Sequence, residues 1–512
     1  MNHVPLLTLM VLTPALGAIS LRWIPYTHRA RRVAVFTAFS TLLLTLVAVA
    51  SFDLGTQGMQ LEDTAFTVPG LMMRWHLGID GLSVVLLPLA ALIGVVTVLG
   101  LPQHTMSRSH LASALGMVSA TLGIITSLDM GWLAFFWLVR LVPGAALIAR
   151  HGDPTLRTHL ARTWGIFLIG GSVPLLVAVA LLGIIGHRAG LAAPLDLTAL
   201  TTIGIPRDWQ MVLFPLFVVA VGMRMAIVPF HGWMGVIVEH GPPGVAMMLA
   251  GAHVALYLIA RVGLPLLPEA SAVGMAPLMF AALGCALYGS LVALAQDDLR
   301  RMVGYLVVSH AGLMAGGIAS MNTQSVSGAV LQSVASGLAM TGLLLVIAAL
   351  HARTGTARMG DFGGLARRSP RMTVFFLLFG LAAVGFPGTL TFVSEDLLLH
   401  GVLDNHPIVA VLLLLATAIN GITVIRAFFR TFMGPPAVHG SSVVTSAPID
   451  DLVPRERAVA FLLTTSIFLG GIFPRPLIEA RVSVVESLIT YDAHHALRAR
   501  HDANTSSHTA EH

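Results

Sequence analysis

The sequence predicts an all-α polytopic membrane protein of about fourteen transmembrane helices, and three observations predict it. Of its 512 residues 56% are hydrophobic and only 10% charged, with a mean hydropathy of +0.85. Soluble domains carry roughly 25% charged residues, so lipid must cover most of this apolar surface. Apolar runs of helical length recur along the whole chain, and arginines gather in alternate connections between them. All 29 residues of the lysine-plus-arginine class are arginine, a bias a GC-rich genome would produce at surface positions.

The runs fall near 4–24, 33–52, 79–101, 111–129, 131–150, 163–186, 209–229, 244–265, 273–296, 302–321, 325–351, 371–401, 407–430 and 458–473. Arginines cluster at 22–32, 102–110, 150–162, 297–301, 352–371 and 426–457. The connections between these, such as 53–78, 266–272, 322–324 and 402–406, are acidic, neutral or very short. Cytoplasmic loops are the arginine-rich ones, so an even count of spans places both termini on the outer side. Residues 1–21 lack a basic n-region, and Arg22, Arg29, Arg31 and Arg32 follow the first run; a retained first span is expected rather than a cleaved signal. The stretch 474–495 reads as an interfacial segment, and the chain beyond about 496 as a disordered polar tail.

Two runs contain breaks. One ends at Met225-Ala226-Ile227-Val228-Pro229 and the other holds Gly385-Phe386-Pro387-Gly388 in its middle. Proline removes a backbone donor and clashes with the preceding turn. At membrane depth such a break survives where protein or a water-lined cavity satisfies the freed groups. Each break lies beside an ionisable residue, Arg224 or Glu395, and paired interrupted helices point to an inverted-repeat transporter with its pathway at the breaks.

A charge inside a membrane is a functional candidate by default. The deep candidates are Arg140, Arg224, His253, His310, Glu395 and Asp396, with Asp80 at a span entrance. Arg261, Arg300, Arg301, Arg426 and Arg430 stand near span ends, where an arginine snorkels to water. Proton transfer needs groups that exist in both protonation states near neutral pH. Histidine does so unperturbed, and a desolvated glutamate does so as well. Arginine stays charged, so Arg140 and Arg224 bias neighbours or pair with a carboxylate. The single cysteine, Cys285, excludes an intramolecular disulfide and a cysteine-ligated cluster. No cofactor, metal or nucleic-acid partner is expected.

The stretches carrying these residues are Leu77-Gly78-Ile79-Asp80-Gly81-Leu82-Ser83, Val228-Pro229-Phe230-His231-Gly232-Trp233 and Ala295-Gln296-Asp297-Asp298-Leu299-Arg300-Arg301. Further along come Ser309-His310, Gly328-Ala329-Val330-Leu331-Gln332, Asp361-Phe362-Gly363-Gly364-Leu365-Ala366 and Phe392-Val393-Ser394-Glu395. In this order, over residues 77–434, they resemble the antiporter-like membrane subunits of respiratory complex I. Subunit M of bacterial NADH:quinone oxidoreductase, counterpart of mitochondrial subunit 4, is one of these, and multisubunit cation/proton antiporters hold relatives.

The resemblance implies an inverted pair of five-helix units with broken seventh and twelfth helices. It divides the chain into N-terminal helices 1–3 (1–110), a first antiporter-like half (111–265) and a second half (273–430). A loop with helix 14 (431–473) and the tail (474–512) follow. It also implies a mid-membrane chain of lysine, histidine and glutamate that moves protons, and here the sequence departs. The fifth-helix glutamate falls on Leu138, the seventh-helix lysine on Arg224, and the eighth-helix lysine on Ala255, two residues after His253. The tenth-helix cation falls on Arg300 and the eleventh-helix histidine on Ser336, while His310 and Glu395 are kept. Arg140 sits about 200° around the helix from Leu138 and is expected to point elsewhere.

The pathway candidates are therefore Glu395, His310, Arg224, His253, Arg300 and Asp396. The resemblance implies an energy-coupling subunit in the bacterial inner membrane, working among other membrane subunits with no catalytic centre of its own. An antiporter-like subunit of a cation antiporter, membrane hydrogenase or inorganic-carbon uptake system, or a non-conducting scaffold, stands as the alternative.

Overall fold

A computed structural model describes residues 5–24, 28–56, 58–102, 107–251, 254–435, 449–481 and 484–486. His253 and the tail from 487 onward lie outside the described residues. The chain is mostly helical. It opens with α1 (Leu6–Ser20) and α2 (His28–Ala50), then a hairpin of β1 (Gln60–Val68) and β2 (Met73–Ile79). Next come α3 (Leu86–Gly100), α4 (Arg108–Thr126), α5 (Met130–Val139), α6 (Leu141–His151), α7 (Arg157–Trp164), α8 (Ser172–Arg188) and α9 (Leu197–Ile203). The middle of the chain forms α10 (Arg207–Met225), α11 (Gly232–His240), α12 (Pro243–Gly251), α13 (Val254–Leu258), α14 (Leu264–Leu266) and α15 (Pro268–Ala295). The rest forms α16 (Leu299–Ala319), α17 (Thr323–Thr354), α18 (Leu365–Arg368), α19 (Pro370–Ala383), α20 (Leu390–Asn405), α21 (Pro407–Phe432) and α22 (Pro454–Ile472).

Among the described residues ten helices are long and apolar enough to cross a membrane, and eleven if the bent pair of α22 with Arg475–Glu486 counts as one span. The innermost helices read differently from the outer ones. Over their most apolar stretches α16 and α17 are wholly buried, whereas α2 and α21 bury a third. Helices hydrophobic all round belong to the interior, and the outer ones leave an apolar face for lipid.

Both expected breaks are present. After α10 the backbone turns at Ala226, which holds φ 57°; a left-handed alanine is strained and is fixed here by complete burial. The second break runs from Val384 to Thr389, between α19 and α20, with Gly385 at φ 70° and Gly388 at φ 89°. α20 then restarts on Thr389, whose hydroxyl accepts from the Phe392 amide at 3.4 Å and caps the new N-terminus. The run expected at 244–265 carries a π-helical turn at Ile259–Gly263.

Two expectations are corrected. The connection 53–78, read as a loop, contains most of the β1–β2 hairpin, whose inner strand buries Trp75, His76, Leu77 and Ile79. The run that begins at Ile79 becomes helical only at Leu86, because Asp80 folds the chain back first. Its carboxylate accepts from the amides of Leu82 (3.2 Å) and Ser83 (3.0 Å), a local turn that competes with helix.

Candidate functional site

A buried polar cluster lies where α16, α17 and α20 meet. Gly328 permits the meeting: a Cβ there would stand 2.5 Å from the Leu398 amide nitrogen. One turn along the same face of α17, Gln332 reaches across. Its Nε2 lies 3.1 Å from His310 Nδ1 on α16 and donates to Glu395 Oε1 on α20 at 3.1 Å. Its Oε1 accepts from the Ser394 hydroxyl. His310 and Glu395 are 1% and 6% exposed, and Gln332 is fully buried. The second break shapes the other side of the carboxyl: a Cβ on Gly385 would stand 2.6 Å from Glu395 Oε2. Beside His310, Asn420 on α21 donates to the Ser309 hydroxyl at 2.9 Å.

The structure thus brings His310 and Glu395 together, joined through a residue that sequence reasoning quoted in a motif without giving it a role. The spacing held a signal: Gln332 precedes Ser336 by one turn, and the Ser336 hydroxyl donates to the Gln332 carbonyl at 2.6 Å. Asp396, the neighbour of Glu395, does not join them. It faces outward with its side chain 55% exposed, 3.2 Å from His400, because successive helix residues point about 100° apart.

Around the first break the charged groups are arginines. Arg224, near the end of α10, donates from Nη1 to the Trp137 carbonyl at 3.3 Å, its guanidinium 4.4 Å from the centre of the Trp137 ring. Arg140 donates from Nη2 to the Met248 carbonyl at 2.9 Å. Trp137 belongs to α5 and Met248 to α12, so each guanidinium bonds a backbone carbonyl of a neighbouring helix. Arg140, the helical residue between α5 and α6, is buried, and Leu138 is half-buried. The two cations are near enough to repel each other. Ala255 is buried, and among the described residues no salt bridge joins Arg224 to a carboxylate.

Two arginines expected to snorkel are buried instead. Arg261 pairs with Asp80, both at most 5% exposed. Arg300 donates to the Gly241 carbonyl and lines an open cavity of about 570 Å³ with Glu239, His240, Asp298, Arg301 and His351. Asp297, just outside this end of the bundle, binds Arg430 at 2.6 Å and Arg426 at 3.1 Å. The Arg430 hydrogen bond, helped by the charges of both arginines, holds the Asp297 carboxyl below the usual range.

At the opposite end, the hairpin carries a cluster absent from the sequence expectations. His76 stands between Asp196 (2.5 Å) and Glu62 (2.9 Å). The Asp196 hydrogen bond raises the imidazole above its ordinary value against the opposing effect of burial, and Glu62 adds to the rise. Burial would raise Asp196, yet the bonds from His76, Thr198 and the α9 N-terminus together hold it below the ordinary range. Among the described residues no group of three or more histidine, cysteine, aspartate or glutamate side chains could hold a metal ion.

Fold and site define a class: polytopic membrane proteins with a titratable pair buried beside a broken helix. Comparison with known proteins names the group more closely. The family model described as NADH:quinone oxidoreductase/Mrp antiporter, TM matches residues 127–420, and the chain belongs to that family. NADH-quinone oxidoreductase subunit M of Pseudomonas aeruginosa is 28% identical over 491 residues, 92% of this chain and 94% of the relative. F(420)H(2) dehydrogenase subunit M of Methanosarcina mazei is 28% identical, covering 96% of this chain and 99% of the relative. A chain of the Thermus thermophilus respiratory complex I superposes with a TM-score of 0.85 at 28% identity, covering 95% of this chain and 99% of its own. A chain of the Mrp complex of Dietzia superposes at 0.80 with 18% identity, covering 96% of this chain and 98% of its own, a likeness of fold.

Proposed function

We propose that this chain is an energy-coupling membrane subunit of an NADH:quinone oxidoreductase-like complex, and that it translocates protons through its second half. The observation that carries the reading is the buried hydrogen-bonded line His310–Gln332–Glu395, two groups able to hold or release a proton across one amide. The cavity at Arg300 and His351 is the water-facing approach to it, with the buried Arg300 charge setting the local field. Asp396 serves no part of the path. Arg224 and Arg140 act as fixed cations that lower the local proton affinity of the first half, and His253 is assigned to the same half by its place in the sequence.

In this reading the ten long helices, the bent pair and three shorter apolar helices, Leu6–Ser20, Leu86–Gly100 and Pro370–Ala383, are fourteen spans. Residues 111–265 and 273–430 are the inverted five-helix units, and both termini face the outer side of a bacterial inner membrane. Neighbouring membrane subunits are its partners, as in the complexes that hold its structural relatives.

The test is Glu395→Gln in the assembled complex, reconstituted in vesicles. Proton uptake coupled to quinone reduction should fall at least severalfold with the complex intact; unchanged proton movement would sink the reading. One observation favours a second reading, an antiporter-like subunit of a non-respiratory transporter: the buried cations of the first half bond backbone carbonyls where the resemblance implies a lysine beside a glutamate. Identifying the chains that purify with this one separates the two.

A further inference from the structure

α2 begins with His28-Arg29-Ala30-Arg31-Arg32 and has no acidic residue in its first turn. Its cations stand at the positive end of the helix dipole, where negative charge is the favoured kind. His28, Arg31, Arg32, Val35, Phe36 and Phe39 line one open groove along the helix, and their spacing is that of a single helix face. The charged end passes into an apolar strip on which Phe36 and Phe39 are exposed. From His28 to Phe39 the groove runs about 16 Å at the helical rise. That is the depth of one leaflet of a hydrocarbon core about 30 Å thick.

The charged end gathers cations from more than one element. Arg31 donates from Nη2 to the Leu99 carbonyl of α3 at 3.4 Å. Arg455, in the first turn of α22, is near enough to Arg31 for the two charges to repel each other. Glu456, next to it, is buried and turned onto Arg353 at 2.7 Å. α1, α3 and α4 pack against α2, and the sequence has no aspartate or glutamate before Asp53 or between Asp80 and Asp129. These three helices therefore bring no carboxylate to this end. A choline or ethanolamine headgroup would add a further cation to the group; an anionic headgroup adds none.

We propose that this groove binds an anionic phospholipid from the leaflet on the arginine-rich side. Arg31, Arg32 and His28 take its phosphate, and one acyl chain lies along Val35, Phe36 and Phe39. Clustered arginines at the ends of membrane helices select acidic headgroups by charge. Snorkelling alone makes a different demand, because an arginine that merely reaches the interface accepts any phosphate, that of a zwitterionic lipid included. The site stands apart from the His310–Gln332–Glu395 line and holds whichever complex the chain serves.

The experiment places the assembled complex in phosphatidylcholine vesicles with a trace of phosphatidylglycerol that carries a diazirine on its acyl chain. After illumination the labelled peptides are mapped by mass spectrometry, and a parallel sample carries the diazirine on phosphatidylcholine. Phosphatidylglycerol should label residues 35–39 at least about fivefold more than phosphatidylcholine, the contribution of a single arginine near an anionic headgroup. Ile408 and Val411, exposed on α21, should be labelled equally by both. Arg31→Gln combined with Arg32→Gln should remove the preference, and Arg32→Gln alone should lower it severalfold. Excess inorganic phosphate should leave the labelling in place, because it has no chain to seat. Equal labelling of residues 35–39 by the two lipids overturns the proposal in the unsubstituted complex, with no need of a variant. So does a preference that survives the double substitution, or one that free phosphate abolishes. Absence of label from either lipid at residues 35–39 shows that a neighbouring subunit covers this face, and overturns it as well.

Discussion

At the scale of single residues the chain shows how backbone carbonyls and an aromatic ring hold buried cations. Arg224 bonds the Trp137 carbonyl and lies over the Trp137 ring, while Arg140 bonds the Met248 carbonyl. A backbone carbonyl is a weaker partner than glutamate, but one that never takes up a proton. Among the described residues the polar contacts of Arg224 are one hydrogen bond and one ring face, and an ammonium group satisfies both. Arg224→Lys should therefore leave assembly intact and change coupled proton movement by less than about twofold, since a buried cation of either kind keeps the same sign of field. Loss of the complex from membranes carrying this variant would show that the planar guanidinium itself is required.

At the scale of elements, α17 and α20 decide whether the cluster exists. Gly328 is the contact that sets their distance, with room for no Cβ against the Leu398 backbone. Gly328→Val should push α20 away, cost about 1–3 kcal/mol as overpacking does, and separate Gln332 from Glu395. The complex should lose thermal stability and proton coupling together; a fully coupled variant would show that the cluster tolerates a wider helix spacing.

The same elements show what the sequence made legible. Helix positions and both breaks could be read because apolar length and proline leave local marks, and Glu395 stood out as a charge inside an apolar run. The bridging role of Gln332 could not, because it depends on three helices crossing at one level, and a polar residue in an apolar helix has many ordinary explanations. The burial of Arg261 was equally hidden: its partner Asp80 is 181 residues away, and a span-end arginine reads as one that reaches water. The β1–β2 hairpin was missed because only its inner strand is buried, and that strand buries consecutive residues rather than alternate ones.

At the scale of the whole molecule the hairpin acts as a tie across one end of the bundle. Asp63 accepts from the Thr8 amide of α1 at 2.8 Å, and Trp75 donates to the Thr8 hydroxyl at 3.0 Å. The His76 carbonyl accepts from the Leu128 amide at 2.9 Å, between α4 and α5, and the His76 ring bonds Asp196 at the start of α9. Segments more than a hundred residues apart are thereby joined through one imidazole. Because folding raises the affinity of His76 for its proton, chiefly through Asp196, the stabilisation is complete below the unfolded value of about 6.5. It is lost as pH rises through the higher folded value. Asp196 is shifted the other way, so its share is present above an unfolded value of about 3.9 and lost as pH falls through the lower folded one. The pair therefore contributes most between about pH 4 and 6.5. His76→Phe keeps a ring of similar size and removes both bonds. The difference in unfolding temperature between the parent complex and this variant should be largest near pH 5 and shrink steadily toward pH 9. Hydrogen exchange of the hairpin amides should speed up in the variant over the same low-pH range. A difference that stays constant from pH 5 to 9 would show that His76 holds the hairpin by packing alone, with no contribution from its proton.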